Sequence, residues 1–415
     1  MTASEPILEH DIRSSVSRSC PVCRANRSTL LCHQSFEQLS GVGLLSGYDV
    51  VICRECGGAF SDGIPEQEVF DRYYRDLSKY EQPDYRPAGT AAVEPRFQAV
   101  ADTIAPFIPT PDTRVLEIGC ASGGLLKALQ ERGCRNLFAS DPSPACIRAA
   151  QELYGIPGAA GTVFSIPRTE LPYEFLVLTG VMEHIRDLES TVARFHDLLA
   201  ERGRVYLEVP DASRYDWQLD APFQEFSLEH INYFSRTSLA NLMRTRGFRV
   251  LATGRVMRPL HEITCPGTFG VFQRTGENQP LVFDTETEPG LRRYIEGCGA
   301  EDERIHTAIR RSLAPGQRMI VWGVGAHTLR LLAAGGLDPS RIALFVDSSC
   351  KYQNRELLGI RVASPAELEH WDDPILISSR GFQREIHHQI RNVMGLRNPL
   401  ILLYGVPTEA HRHGA

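Results

Sequence analysis

From Arg114 to about Val256, short apolar runs alternate with stretches in which apolar residues return every three to four positions. A parallel sheet wrapped by helices produces that alternation. RVLEIG from Arg114, NLFASD from Asn136, FLVLTG from Phe175 and RVYLEVP from Arg204 read as its strands, and FRVLAT from Phe248 as a further strand that closes the unit. A polar and aromatic interruption, Pro222 to Ser235, separates RVYLEVP from the helical TSLANLMRTRGF. Met257 to Pro289 shows no clear period and has a Gly/Pro-rich break at CPGTFG, so no element is assigned there. A helix rich in Arg and Glu, about Leu291 to Ala314, leads into a second strand–helix alternation from Arg318 to Tyr404.

Upstream, residues 1–17 are polar and aperiodic and read as a flexible tail, while YDVVIC, Tyr48 to Cys53, reads as a strand. The tyrosine-dense FDRYYRDLSKYEQPDY follows from Phe70, and then a helix from about Pro95 to Phe107. The fold class is therefore α/β. The chain divides into the tail, a small unit with its connector at 18–85, a doubly wound sheet at 86–290 and a Rossmann-like α/β unit at 291–415. At 415 residues the chain exceeds the ~250–300 at which single cores stop growing.

Composition narrows the partners. Hydrophobic residues make up 42% and charged ones 23%, and no apolar run approaches the ~20 residues that span a bilayer, so no membrane partner is expected. The opening MTASEPILEHDIRSS lacks the basic start and apolar core of a secretion signal, which points to the cytoplasm. A net charge of -7 disfavours nucleic acid.

Of eleven cysteines, four form two Cys-x-x-Cys pairs, Cys20 with Cys23 and Cys53 with Cys56. Two such knuckles can present four thiolates tetrahedrally, the coordination Zn2+ takes in closed structural sites. The knot is too small to bury much apolar surface, so metal binding would supply its folding free energy.

The segment VLEIGCASGG, Val115 to Gly124, places Glu117 two residues before a glycine-rich turn at a strand end. Such a turn lets backbone approach a ligand closely. It resembles the first motif of class I S-adenosylmethionine methyltransferases: Glu117, Gly119 and Gly123 match the pattern, and Ala121 stands at its middle glycine. Asp141, 22 residues after Gly119, ends the next strand where a carboxylate can accept ribose hydroxyls. By that resemblance Pro142 joins the cofactor pocket, Thr162 and Val163 lie near adenine, and Thr179, Gly180 and Val181 lie beneath the sulfonium. The NAD fingerprint needs G-x-G directly after the strand, which Gly119-Cys120-Ala121 does not supply.

Two histidines follow glutamates near strand ends: His184 in GVMEHI and His230 in FQEFSLEHINYFS. Strand carboxyl ends gather ligands in open α/β sheets. Either histidine could instead cap or pack. The cysteine pairs, the Tyr-rich connector, the methyltransferase core with its Glu-His-x-x-Tyr-Phe-Ser insertion and a final unit carrying VWGVGAHTLRLL together resemble the sugar C-methyltransferases of deoxysugar pathways. The resemblance implies S-adenosylmethionine, a structural zinc and a nucleotide-linked keto-sugar whose carbon is deprotonated and methylated. It places Glu229, His230 and His184 at the reacting end, with His230 as the base, and has a connector tyrosine, Tyr74 or Tyr80, close the pocket. Ser227 and Leu228 replace the tyrosine and histidine usual before that Glu-His, and Ala121-Ser122 replace Asn-Asp. Oxygen or nitrogen methylation of another metabolite therefore stays open, with an RNA methyltransferase or a non-catalytic binding module as lesser alternatives. In the last unit Gly323, Gly325 and Asp347 mimic a dinucleotide fold, but Thr328 takes the third glycine's place. The unit reads either as a structural lid or as a half-site for the acceptor's carrier group.

Overall fold

The computed structural model describes residues 12–13, 16–41, 44–77, 95–166, 172–217, 221–260 and 263–405. Three sheets organise them. The central one has seven strands in the spatial order Phe248–Leu260, Ile263–Arg274, Leu199–Pro210, Tyr173–Thr179, Arg114–Ile118, Asn136–Asp141, Gly158–Ala160. Its last five are parallel, and Ile263–Arg274 runs antiparallel between its neighbours. Because the first of these strands in sequence, Arg114–Ile118, is flanked by Asn136–Asp141 and Tyr173–Thr179, the chain reverses its winding there. That switch point opens a crevice at the carboxyl ends.

The stretch left unassigned in sequence is half of a long β-hairpin, and CPGTFG lies inside its second strand. The glycines do not break it, because aromatic rings lie where their side chains would be. A Cβ on Gly254 would sit 2.5 Å from Phe269 Cε1, and one on Gly270 would sit 2.2 Å from Phe272 Cζ. The helix expected from Leu291 spans Thr287–Ser312 and comes so close to the 3-10 segment Ala212–Trp217 that a Cβ on Gly290 would strike the Ser213 carbonyl oxygen at 2.3 Å.

The N-terminal sheet is antiparallel, in the order Ile12–Arg13, Ser28–Ser35, Gly47–Cys53, Ala59–Asp62 and Asn232–Tyr233. Its last strand comes from the interruption within the central unit, pairing Asn232 with Phe60 and Tyr233 with Ala59. The tail does not run free to residue 17: Ile12 and Arg13 pair with Thr29 and Ser28, and Ser17 Oγ donates to Asp62 Oδ1 at 2.6 Å. Arg18, buried, donates from one guanidinium to the Arg186 carbonyl, the Ile231 carbonyl and Asn232 Oδ1. The C-terminal sheet orders Glu356–Leu357, Ile360–Ala363, Ile342–Val346, Met319–Trp322, Ile375–Ile377 and Leu400–Leu402, all parallel except the first pair. One apolar core runs from Tyr48 and Phe70 through Phe226 and Tyr294 to Phe345 and Leu357, so the N-terminal and C-terminal units share an interior with the interruption and the long helix.

Candidate active site

Strand Arg114–Ile118 ends in a turn with unusual backbone. Gly119 has φ +79°, and a Cβ there would lie 2.5 Å from Val181 Cγ2. Gly123, at φ +84°, precedes helix Gly124–Glu131, and a Cβ there would meet that of Ala150 at 2.9 Å. Ala121 holds φ 47° without being glycine. Its strain is offset by a charge-assisted bond, since its amide donates to Asp141 Oδ2 at 2.9 Å while the Ser143 amide donates to Oδ1 at 2.9 Å. Asp141 thereby ties the two loops of the switch point together. Glu117 lies beneath, buried, with Oε2 lacking any hydrogen-bond partner. Burial, reinforced by the Asp141 charge, pushes its carboxyl up to about 8.

A cavity of about 480 Å3 opens above this turn. Every residue expected at the cofactor lines it except Glu117, Gly123 and Thr179. Glu117 sits under the floor, Gly123 packs against helix Pro144–Tyr154, and Thr179 ends its strand half-buried. A second cavity of about 340 Å3 lies between the N-terminal unit, the interruption and the turn Val324–Gly325–Ala326 of the C-terminal unit. Tyr73, Glu229 and Tyr352 line both.

The two histidines meet at this junction, their ring centroids 5.0 Å apart. His184 ends a short 3-10 turn, Met182–His184, rather than starting the helix, which begins at Leu188. His184 lines the first cavity and His230 the second. Nδ1 of His184 lies 3.0 Å from the Tyr74 hydroxyl and 3.0 Å from the Glu229 carbonyl oxygen. Nδ1 of His230 lies 3.6 Å from Glu225 Oε2, an ion-pair separation. Burial lowers the His184 pKa below the ordinary histidine range, with Glu183 pulling the other way and His230 adding to the fall. At His230 burial also opposes charge, but Glu225, Glu183 and Glu229 outweigh it and raise the pKa to about 9. Tyr73 donates to Glu229 Oε1 at 2.8 Å, so of the connector tyrosines Tyr74 and Tyr73 face the site, whereas Tyr80 lies outside the described residues.

A family model described as a methyltransferase domain matches residues 92–253, and one described as C2185-like, N-terminal, matches residues 316–402. The chain is 25% identical over 381 residues to C-methyltransferase NovU of Streptomyces niveus, spanning 84% of each chain. The chain is an S-adenosylmethionine-dependent methyltransferase. It is also 27% identical over 113 residues to a ubiquinone biosynthesis O-methyltransferase of Xylella fastidiosa, 26% of this chain and 45% of that one. Among solved structures, the Burkholderia thailandensis 1,6-didemethyltoxoflavin-N1-methyltransferase superposes with a TM-score of 0.41 at 19% identity, covering 54% of this chain and 98% of that one.

Residues of all three units line the two cavities. Lys351 and Tyr352, from the C-terminal unit, line the larger cavity, the Lys351 Nζ lying 5.1 Å from the Tyr73 ring centroid. The C-terminal unit repeats the loop tie of the central one: Asp347 Oδ2 accepts from the Val324 amide at 2.9 Å and Oδ1 from the Ser349 amide at 2.8 Å. Thr328, at the missing third glycine, donates to the Gly323 carbonyl at 2.6 Å. Away from the cavities, the sulfurs of Cys20 and Cys56 are 3.6 Å apart and those of Cys23 and Cys53 3.5 Å, and all four lie within 4.8 Å of one another. A tetrahedron with ~2.3 Å zinc–sulfur bonds has edges of ~3.8 Å. The Gly58 amide points at Cys56 Sγ from 3.4 Å, as a donor to a thiolate would. No helix among the described residues is long and apolar enough to cross a membrane.

Proposed function

We propose that this methyltransferase places a methyl group on a carbon beside the ketone of a small nucleotide-linked sugar, and that one structural zinc, held by Cys20, Cys23, Cys53 and Cys56, maintains the sheet that carries the reacting segment. The observation that carries the reading is the pair of half-buried imidazoles set among Glu183, Glu225 and Glu229 where the two cavities meet. A carbon-bound proton leaves only if a positioned base takes it and a donor steadies the enolate oxygen, so carbon methylation needs two such groups side by side. S-adenosylmethionine supplies the electrophilic methyl; the rest is done by the chain. Asp141 presents its carboxylate to the ribose, and the glycine turn admits the cofactor against the backbone. Tyr74 and the Glu229 carbonyl orient His184.

The second cavity suits a sugar. Its carboxylates, Glu37, Glu225 and Glu229, accept from hydroxyls, and Tyr73 and Tyr352 offer ring faces to C–H edges. The likeness to a C-methyltransferase over most of the chain supports carbon as the atom. Incubating the protein with nucleotide-linked keto-sugars and cofactor labelled with 13C in its methyl tests this. A new carbon–methyl resonance is expected; a methyl on oxygen or nitrogen would overturn the carbon assignment.

A further inference from the structure

We propose that Arg18 and Asn232 form a clasp that sets the spacing of His184 and His230, so that the stretch of chain leading into the first cysteine pair positions the reacting end without touching it. The proposal rests on the reading that the reaction takes place at the two imidazoles, and it holds whether carbon, oxygen or nitrogen receives the methyl.

Neither histidine stands on an element that could hold it alone. His184 ends a 3-10 turn of three residues, Met182–His184, and His230 lies two residues before a strand of two, Asn232–Tyr233. Elements this short are marginal on their own. A backbone bond joins the two stretches, from the Ile231 amide to the Glu183 carbonyl at 2.9 Å. Around it, four carbonyls from the two stretches converge on two side chains. Asn232, 1% exposed, donates from Nδ2 to the Met182 carbonyl at 2.8 Å and to the Ile185 carbonyl at 2.7 Å. Carbonyls only accept, so the amide has one orientation, and its Oδ1 turns to Arg18, which donates to it from Nη2 at 2.7 Å. The same Nη2 donates to the Arg186 carbonyl at 2.7 Å, and Nη1 donates to the Ile231 carbonyl at 3.1 Å. Met182, Ile185 and Arg186 bracket His184, and Ile231 follows His230, so one fork and one amide grip both.

The N-terminal sheet holds Arg18 in turn. Its amide donates to Asp62 Oδ1 at 2.9 Å, and its Cζ lies 5.8 Å from the Phe60 ring centroid. Both residues belong to strand Ala59–Asp62, against which Asn232–Tyr233 pairs. What a guanidinium supplies here is a planar fork whose N–H directions are fixed; an ammonium at the same place would be a point charge on a flexible stem. Arg18 and Asn232 are therefore positioning residues, acting through the backbone on either side of the rings.

The full chain tests this. Arg18→Met keeps the length of the side chain and removes the fork. With S-adenosylhomocysteine bound and histidine rings labelled with 13C, the parent should show a nuclear Overhauser contact between His184 and His230, whose ring centroids lie 5.0 Å apart, and the variant should lose it. With a thymidine-diphosphate 4-keto-6-deoxyhexose as probe, kcat should fall about 10–10²-fold, the scale of a small misplacement, while KM, cofactor affinity and zinc content stay as in the parent. In Arg18→Ala, millimolar ethylguanidinium, which carries the fork into the vacated space, should restore kcat, and butylammonium, which carries the charge without it, should not. Loss of zinc or of cofactor binding in Arg18→Met would make Arg18 a strut of the fold and overturn the proposal. A ring contact that survives, or a kcat that ethylguanidinium leaves unmoved, overturns it as well. Absence of turnover in the unaltered protein sinks the keto-sugar reading instead, and the ring contact, read without an acceptor, then decides the clasp by itself.

Discussion

Glu117→Gln should make the cofactor-free protein more stable at neutral pH, by an amount that depends on pH in a defined way. Glu117 is 2% exposed, its Oε2 has no partner, and its carboxyl is pushed from 4.5 to about 8 by burial and then by Asp141. A group whose folded pKa is raised favours the fold fully below its unfolded value, and that advantage is lost as pH climbs to the folded value. The interval from 4.5 to about 8 is worth about 5 kcal/mol at ~1.4 kcal/mol per pH unit, of which about 3 is lost by pH 7. Glutamine has the same shape and never ionises. Its extra amide hydrogens add an offset that does not vary with pH, so the slope is the readout. Hydrogen exchange of the peptide covering Arg114–Ile118, measured from pH 5 to pH 9 in both proteins, gives the local opening free energy. The variant should gain on the parent up to about pH 8 and no further above it. Parallel curves would show that Glu117 is ionised in the fold, and that the reasoning from burial is wrong.

Cys53→Ser should lower zinc to well below one per chain by metal analysis, and undiminished zinc would exclude a four-thiolate site. Asp141→Ala should weaken S-adenosylhomocysteine binding by about 1.5–3 kcal/mol in calorimetry, since it removes a charged acceptor and also frees the amides of Ala121 and Ser143. Ala121→Gly should raise stability by about 1 kcal/mol, because the residue sits at φ 47°, where a side chain is strained, and the bond from its backbone amide to Asp141 survives the change; a neutral or destabilising result would show that the methyl costs nothing at that angle.

Features set by neighbours in sequence could be read from sequence. The Cys-x-x-Cys knuckles, and the run from Val115 to Gly124, are local constellations, and the structure brings each together as its spacing suggests. Contacts across the chain could not be read. Tyr73 meets Glu229 across 156 positions, and Arg18 meets Asn232 across 214. Glu225 lay in the same interrupted segment as His230 and was overlooked, because a carboxylate five residues away gives no sign of facing the ring until the segment folds back. The hairpin was missed for a different reason. The glycines of CPGTFG signal a break, whereas in the sheet the Phe272 ring lies where a side chain on Gly270 would go and Val256 lies against Gly267.

The strand Asn232–Tyr233 has a consequence for how the chain is made. Its partner, Ala59–Asp62, leaves the ribosome 170 residues earlier, counting from Asp62 to Asn232. At ~5–20 residues per second, that edge waits roughly 9–34 s for its neighbour. Throughout that interval it is an open row of amides and carbonyls, able to pair with the same strand on another nascent chain. The yield of soluble enzyme therefore depends on the time taken to synthesise Gly63 to Ile231, and faster translation of that stretch or lower chain density on each message should raise it without any change to the finished fold.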